Sequence, residues 1–86
     1  MAKTIFTDDH RQFIGALKEV RRAKGITQVA LSERLGRDQS YVSNIERGQR
    51  RLDVIEFAEI ARAIGEEPTA LFAQLLPRRR AVAPTK

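Results

Sequence analysis

The 86-residue sequence contains no cysteine and a single histidine, His10. Without cysteine the chain has neither a disulfide framework nor a thiolate metal site. A zinc site with one histidine would need carboxylates for nearly all of its remaining ligands, so we expect no bound metal. His10 itself follows two acidic residues at a helix start, and we interpret it as an exposed residue of that first turn.

Signatures of catalysis and of membrane insertion are missing as well. The sequence has no glycine-rich phosphate loop, no His-Glu-x-x-His motif and no serine, histidine and carboxylate in a hydrolase context. No apolar run approaches the roughly 20 residues of a membrane span, and the N-terminus lacks the apolar core of a signal peptide. We therefore expect a cytoplasmic protein that is not an enzyme, is not membrane-bound and needs no cofactor.

The charge balance is basic. Sixteen lysines and arginines stand against eleven acidic residues, giving a formal charge of +5, and most of the basic residues are arginine. A positive balance favours polyanionic partners, and arginine suits planar recognition of phosphate and guanine. Because arginine-rich composition also arises from GC-rich coding sequences, charge alone is a weak indication of a nucleic-acid partner.

Start and stop signals divide the sequence into five helical segments and show no strand pattern of useful length. Asp9 and Gln12 have the spacing of a capping box, and Gly25 is placed to end the first helix. The later boundaries are Thr27, Gly36, Asp38, Gly48, the Asp53 and Glu56 capping box, Gly65, Pro68 and Pro77. This predicts an all-α, compact five-helix domain over residues 9–76. It also predicts a flexible segment 1–8, with Ile5 and Phe6 able to fold back, and a basic, disordered tail 77–86.

Apolar residues at helical spacing define the expected core. In the first and fourth helices these residues are Phe13, Ile14, Leu17, Val20, Ile55, Ala58, Ile60, Ala61 and Ile64. The third helix, predicted over Gln39–Arg47, instead carries polar side chains within about 140° of one another, at about 100° per residue. Asparagine and glutamine amides can pair with adenine edges. A plain solvated face is the alternative interpretation of this polar stripe.

The stretch Thr27–Gly48 resembles the helix-turn-helix of the Cro and phage-repressor class of DNA-binding domains. The matching residues are Gln28, Leu31, Gly36, Val42, Ile45 and the closing Ile-Glu-Arg-Gly. The similarity covers roughly Phe13–Leu76 and implies a lambda-repressor-like fold. Ser32 departs from the alanine that the family usually carries, and its hydroxyl needs a partner. Asp38–Glu46 with Gln49–Leu52 also resembles, more narrowly, the controller proteins of restriction–modification systems; a small phage or plasmid repressor is the other interpretation.

The resemblance implies roles for Gln28, Gln39, Ser40, Asn44 and the pair Arg21 and Glu46, and the other residues named here are assigned from their positions beside the third helix. Base edges would be read by Gln39, Ser40, Ser43 and Asn44. Phosphates would be bound by Gln28, Arg37, Tyr41, Arg47, Gln49, Arg50 and Arg51. Gln28 is also expected to brace Gln39, and Arg47 suits either guanine or phosphate. Tyr41 is equally well interpreted as a core residue, and solvation alone would also account for the arginine loop. Arg21 and Glu46 are expected to pair between the first and third helices.

Together these features predict a sequence-specific transcriptional regulator, a repressor or autoregulator, that binds a palindromic operator in double-stranded DNA as a homodimer. The fifth helix, with Phe72, Leu75 and Leu76, is the expected dimer face, and Val29 is a further exposed apolar candidate. The alternative is an antitoxin or accessory protein that uses the same fold mainly to bind another, unidentified protein. The apolar surface of the fifth helix would then be the partner face.

Overall fold

The computed structural model describes residues Thr7–Pro77, and within that range it contains five α-helices and no strand. The helices are α1 (Asp8–Ala23), α2 (Gln28–Arg34), α3 (Tyr41–Glu46), α4 (Val54–Ala63) and α5 (Pro68–Leu75). The prediction of an all-α, five-helix domain is therefore confirmed. The predictions for Ile5 and Phe6 and for a disordered tail from residue 78 onward fall outside the described residues.

Helix starts follow the sequence signals, with two differences. Thr27 caps α2, and Asp53 with Glu56 forms the capping box of α4. α1 is capped by Thr7, whose hydroxyl accepts a hydrogen bond from the His10 backbone N–H at 3.0 Å. The predicted cap at Asp9 was wrong because threonine two residues earlier takes that role, and the helix begins inside the segment predicted to be flexible.

The second difference is the start of α3, which begins at Tyr41 rather than at Gln39. The Asp38 carboxylate accepts from the Ser40 backbone N–H at 3.0 Å, and the Asp38 carbonyl accepts from the Tyr41 N–H at 2.9 Å. These bonds close a turn over Gln39 and Ser40, so that both precede the helix. Gly36 and Gly48, on either side of this unit, have φ of +67° and +77°, which only glycine adopts readily.

A single core joins the five helices. α1 packs against α3 and α5, α2 packs against α3 and α4, and α4 packs against α5. The buried side chains are Ile14, Leu17, Ile26, Leu31, Tyr41, Val42, Ile45, Phe57, Ile60, Ala61, Ile64, Leu71 and Leu75. Ile55 was predicted in this core but is 67% exposed. The reason is that it lies two residues from buried Phe57, about 200° away around the helix.

Residues Thr7–Pro77 contain neither a membrane-spanning helix nor a metal-binding cluster. In the described part of the chain, no helix has the length and apolar character to cross a membrane. Across Thr7–Pro77, histidine and acidic side chains do not gather into a group that could hold a metal ion.

Candidate nucleic-acid interface

The predicted base-reading residues lie at and just before the start of α3, on its solvent side. Gln39 and Ser40 are exposed in the turn, and Ser43 and Asn44 are half-buried in the first turns of the helix. On the opposite side of α3, the apolar residues Tyr41, Val42 and Ile45 are buried against the rest of the domain. The helix therefore separates an apolar face from a continuous polar one, as its sequence predicts.

Internal hydrogen bonds already orient most of these polar side chains. The Ser40 hydroxyl donates to the Asp38 carboxylate, and this bond, with that from the Ser40 backbone N–H, lowers the pKa of Asp38. The Ser43 hydroxyl donates to the Ser40 carbonyl at 3.0 Å. The Asn44 side-chain oxygen accepts from Arg47 Nη2 at 2.8 Å. Gln39 has no side-chain partner among residues Thr7–Pro77, so its amide is the most available group for an external ligand.

Ser32 supplies the start of α3 with a hydrogen bond from the neighbouring helix. Its hydroxyl, fully buried, accepts from the Val42 backbone N–H at 3.1 Å. The N–H groups of a first helical turn have no acceptor within their own helix. No side chain of α3 itself caps the helix. Ser32, where the family usually carries alanine, thus caps the start of α3 from the neighbouring helix α2 by accepting this hydrogen bond.

A buried ion pair fixes α3 against α1. Arg21 Nε lies 2.7 Å from Glu46 Oε2, and Arg21 Nη2 donates to Glu46 Oε1 at 3.0 Å. Each side chain is only 8% exposed. Arg21 Nη1 also donates to the Ile26 carbonyl at 2.6 Å, in the loop between α1 and α2. The predicted pair is confirmed, and the guanidinium additionally ties down the entry to the helix-turn-helix.

Gln28 binds the same Glu46 carboxylate as Arg21. Its side-chain Nε2 donates to Glu46 Oε1 at 2.7 Å, so the predicted brace of Gln39 was replaced by a brace of Glu46. The reason is geometric: Gln28 is the first residue of α2, and the buried Glu46 carboxylate lies at the C-terminal end of α3. One hydrogen atom of the amide is thereby committed within the protein. A phosphate contact by Gln28 stays a prediction and can use only the rest of that amide group.

A second cluster surrounds Tyr41 and consists of Arg37, Tyr41, Arg50, Glu56 and Glu59. The guanidinium carbons of Arg37 and Arg50 lie 4.6 and 4.9 Å from the centre of the Tyr41 ring. Arg50 also binds the Glu56 carboxylate through two bonds of 2.9 and 3.3 Å. Arg37 Nη2 lies 3.9 Å from Glu56 and 3.7 Å from Glu59. We call these five residues the Tyr41 cluster.

The Tyr41 cluster changes the interpretation of three predicted phosphate contacts. Tyr41 is only 6% exposed, so its ring is part of the core and the core interpretation is the one the structure favours. Burial raises the pKa of the Tyr41 phenol and Glu56 raises it further, while Arg37 and Arg50 act in the opposite direction. Both arginines already have carboxylate partners. A phosphate would therefore have to compete with an existing ion pair.

The other predicted phosphate ligands lie at the far end of α3. Arg47 is the C-terminal cap residue and is exposed, and its Nη2 lies 3.4 Å from the Gln49 side-chain oxygen. Arg51 is exposed, and the structure of Thr7–Pro77 gives it no carboxylate partner. Within the described part of the chain, Arg47 and Arg51 are thus the arginines near α3 that no acidic side chain pairs with.

Sequence reasoning missed basic residues on α1 that face the same region. Arg11 and Lys18 line a shallow hollow of about 310 Å³ together with Arg47. Burial lowers the pKa of His10, and the positive charges of Arg51 and then Arg11 lower it further. The seven-residue spacing of Arg11 and Lys18, two helical turns on one face, was the signal that could have identified them.

Of the three residues predicted to form the dimer face, two are exposed and one is buried. Leu75 is 6% exposed and belongs to the core of its own subunit. Phe72 and Leu76 are exposed, and together with Val54 they line an open apolar hollow of about 790 Å³. Val54 was not predicted, although it is 73% exposed at the start of α4. The exposed apolar surface therefore spans two helices, α4 and α5.

Comparison with known proteins identifies the family. The helix-turn-helix family HTH_3 matches residues 17–71, more than half of the chain. A curated relative is 41% identical over 58 residues, covering 66% of this chain and 75% of its own length; it is described as an uncharacterized HTH-type transcriptional regulator from Sinorhizobium fredii.

Solved structures agree with this assignment. An XRE-family like protein from Pseudomonas syringae pv. tomato is 49% identical, with a TM-score of 0.74 and coverage of 78% of this chain and 82% of its own. The restriction-modification controller protein C.AhdI from Aeromonas hydrophila is 39% identical, with a TM-score of 0.68 over 77% and 100%. The controller C.Esp1396I, crystallised as a tetramer with its natural operator, is 26% identical, with a TM-score of 0.72 over 81% and 92%. The chain belongs to the helix-turn-helix family of DNA-binding transcriptional regulators.

Proposed function

We propose that this regulator is a repressor or autoregulator that binds a palindromic operator as a homodimer, reading base edges with the start of α3. The observation that carries the proposal is the polar surface formed by Gln39, Ser40, Ser43 and Asn44. It lies over a helix whose position is fixed by the buried Arg21–Glu46 pair. A rigid helix that presents an uncommitted amide suits direct readout in the major groove.

Phosphate binding is assigned first to Arg47 and Arg51, which have no carboxylate partner among the described residues and follow the C-terminal end of α3. Arg11, which is paired with Asp8, and Lys18 extend the same positive surface on α1. Phosphate contacts set the position of a protein on DNA, while base contacts set its sequence preference. We therefore expect these two groups of residues to affect binding in different ways.

Dimerisation is supported by the apolar hollow and by the size of the domain. Val54, Phe72 and Leu76 line a surface that is exposed in a single subunit. One small helix-turn-helix buries too little surface on DNA for high specificity, and a twofold dimer doubles the contacts on a palindromic site. The relative C.Esp1396I was crystallised as a tetramer on its natural 35 base-pair operator, which supports this assignment for a similar chain.

The function is tested by selecting binding sites from a random pool of double-stranded DNA at moderate salt. We expect one palindromic sequence to be enriched and to bind about 10³-fold or more tightly than random DNA. Repression is then tested by placing that sequence over a promoter and measuring transcription with and without the protein. A pool that shows no enriched sequence would contradict the proposal and favour a mainly protein-binding accessory role.

Two alanine variants distinguish base recognition from phosphate binding. Gln39→Ala is expected to weaken binding to the selected site by about 1–3 kcal/mol and to relax the preference at one or two positions per half-site. Arg51→Ala is expected to weaken binding to all sequences alike and to reduce the salt slope by about one unit per removed phosphate contact. The assignment fails if Gln39→Ala keeps the wild-type base preference.

The dimer face is tested by sedimentation of single glutamate variants at micromolar concentration. Val54→Glu and Leu76→Glu should shift the protein toward monomer and weaken operator binding, because a charge in an apolar interface is poorly solvated. Val29→Glu tests the other candidate position, which is exposed on α2 outside this hollow, and should sediment like the wild type. A wild type that is monomeric while bound tightly to one half-site would contradict the homodimer.

A further inference from the structure

We infer that Glu56 is a specificity-determining positioning residue: through the Tyr41 cluster it holds the turn that carries Gln39 and Ser40, and it withholds two arginines from non-specific contact with DNA. The inference rests on the proposed DNA-reading function of α3. It starts from the fact that one carboxylate on α4 contacts the residues before and after the reading helix.

The contacts of Glu56 extend in three directions. Its Oε1 accepts from the Asp53 backbone N–H at 3.1 Å and so completes the capping box of α4. Its carboxylate also receives the two bonds from Arg50, in the loop after α3. Arg37, two residues before Gln39, approaches the same carboxylate at 3.9 Å. Glu56 thereby ties both chain segments that flank α3 to the fixed start of α4.

Tyr41 transmits this restraint to the reading surface. The ring is buried, and the guanidinium groups of Arg37 and Arg50 both lie within 5 Å of its centre. Tyr41 is the first residue of α3 and directly follows Ser40. A shift of Arg37 or Arg50 would alter the packing of the ring and move the turn that carries Gln39. Base readout depends on positions held to a fraction of an ångström, so that such a shift would relax it.

The charges of the cluster balance within the protein. Two arginines face two carboxylates, Glu56 and Glu59, whereas Arg47 and Arg51 have no such partner among the described residues. Non-specific DNA binding depends almost wholly on positive charge available to phosphates. Arg37 and Arg50 are therefore held back from random DNA, and loss of Glu56 would release Arg50 and leave Arg37 with Glu59 as its carboxylate partner.

These two effects give Glu56→Gln an unusual expected signature. Glutamine retains an oxygen for the Asp53 N–H and so preserves the capping box. Without the carboxylate charge, affinity for random DNA should rise about twofold to fivefold, the range expected for a partly exposed ion pair. Affinity for the operator should rise less than affinity for random DNA, because the turn that carries Gln39 and Ser40 is loosened. The operator-to-random ratio should fall about fivefold, and base preference at the positions read by Gln39 and Ser40 should relax.

The matched control is Glu59→Gln, which removes the same charge from the same helix. Glu59 is half exposed, and among the described residues its one ion pair is with Arg37 at 3.7 Å, so its loss should leave the operator-to-random ratio within about twofold of wild type. A second variant, Arg50→Lys, keeps the charge but loses the two-pronged bond and the flat contact with Tyr41. It should relax base preference with the salt slope unchanged.

The experiment measures binding of the wild type and these variants to the selected operator, to its single-base variants and to random DNA over a range of salt, with the folded fraction of each checked by circular dichroism. A Glu56→Gln ratio equal to that of wild type would overturn the inference while leaving the proposed function standing. Equal losses on operator and random DNA would show a merely structural role and also overturn it. A wild type that selects no sequence would overturn the proposed function itself, and the inference with it.

Discussion

Two arginine–glutamate pairs hold α3 in place, and they differ chiefly in burial. Arg21–Glu46 acts at the C-terminal end of α3, and its side chains are both 8% exposed. Arg50–Glu56 acts through Tyr41 at the N-terminal start, and its side chains are 38% and 14% exposed. In each pair, two hydrogen bonds join the guanidinium to the carboxylate. The chemistry is the same, so the difference in surroundings decides what each pair does.

The buried pair is suited to fixing the fold. Its charges cannot return to water when one partner is lost, so removal of one partner leaves an uncompensated charge in the interior. The partly exposed Arg50–Glu56 pair is in contact with solvent, and water or a phosphate oxygen can replace the carboxylate. One end of α3 is therefore held by a contact that contributes mainly to stability. The other end is held by a contact that remains accessible to solvent.

The largest expected effect comes from breaking the buried pair. Arg21→Met should lower the free energy of unfolding by about 3–5 kcal/mol, because Glu46 keeps only the Gln28 amide as a partner in a buried site. The measurement is urea unfolding followed by circular dichroism. Arg22→Met is the control, since Arg22 is exposed and lies 3.7 Å from an exposed Glu19. Similar small losses in both variants would show that the Arg21 pair contributes little.

A smaller loss is expected when the cap from α2 is removed. Ser32→Ala leaves the Val42 N–H without an acceptor in a buried place, which should destabilise the domain by about 1–3 kcal/mol. Ser43→Ala, which removes an exposed bond to the Ser40 carbonyl, should change stability by less than about 0.5 kcal/mol. Equal unfolding midpoints for the two variants in the same urea series would contradict the role of Ser32.

The partly exposed Arg50–Glu56 pair should contribute less to stability than the buried pair, and its contribution should depend on salt. Arg50→Met is expected to destabilise the domain by about 0–1 kcal/mol at low ionic strength, and this loss should shrink as salt is raised from 0.05 to about 1 M. The loss in Arg21→Met should persist at high salt because buried pairs are screened much less. Unfolding of both variants at the two salt concentrations tests the contrast directly. A salt-independent loss in Arg50→Met would place the two pairs in the same class.

Sequence reasoning predicted best what local chemistry decides. The caps at Thr27 and Asp53 and the left-handed glycines at Gly36 and Gly48 were all confirmed, because each depends on residues within one turn of the chain. The Arg21–Glu46 pair was confirmed as well, although it joins distant helices, because the family resemblance supplied it. What the sequence could not give was the partner of each exposed polar group.

The wrong predictions arise because the partners of these side chains are set by the tertiary fold. Leu75 and Phe72 are three residues apart on one apolar helix, and only the packing of α5 against α1 and α4 decides that Leu75 is buried and Phe72 is exposed. The sequence indicated that Arg50 is a loop arginine available to phosphate. In the structure the chain turns into α4, and Glu56 lies 2.9 Å from Arg50. Gln28 was expected to brace Gln39, and the fold instead brings its amide within hydrogen-bond distance of Glu46. The candidate site was thus predictable in its residues but not in which of them are already engaged.

The smallest expected effect concerns a third carboxylate near α3, that of Asp38, which is fully exposed. Hydrogen bonds from the Ser40 hydroxyl and backbone N–H lower the pKa of Asp38 below its ordinary value of 3.8. A lowered folded-state pKa contributes stability above the unfolded value, and that contribution is lost as the pH falls through the folded pKa. Ser40→Ala should raise the Asp38 pKa toward 3.8 by removing the larger of the two bonds. Ser43→Ala, whose hydroxyl bonds a carbonyl instead, should leave it unchanged. Titration of the Asp38 carboxyl carbon by NMR in the three proteins measures this, and an Asp38 pKa at its ordinary value in the wild type would show that the turn before α3 is open in solution.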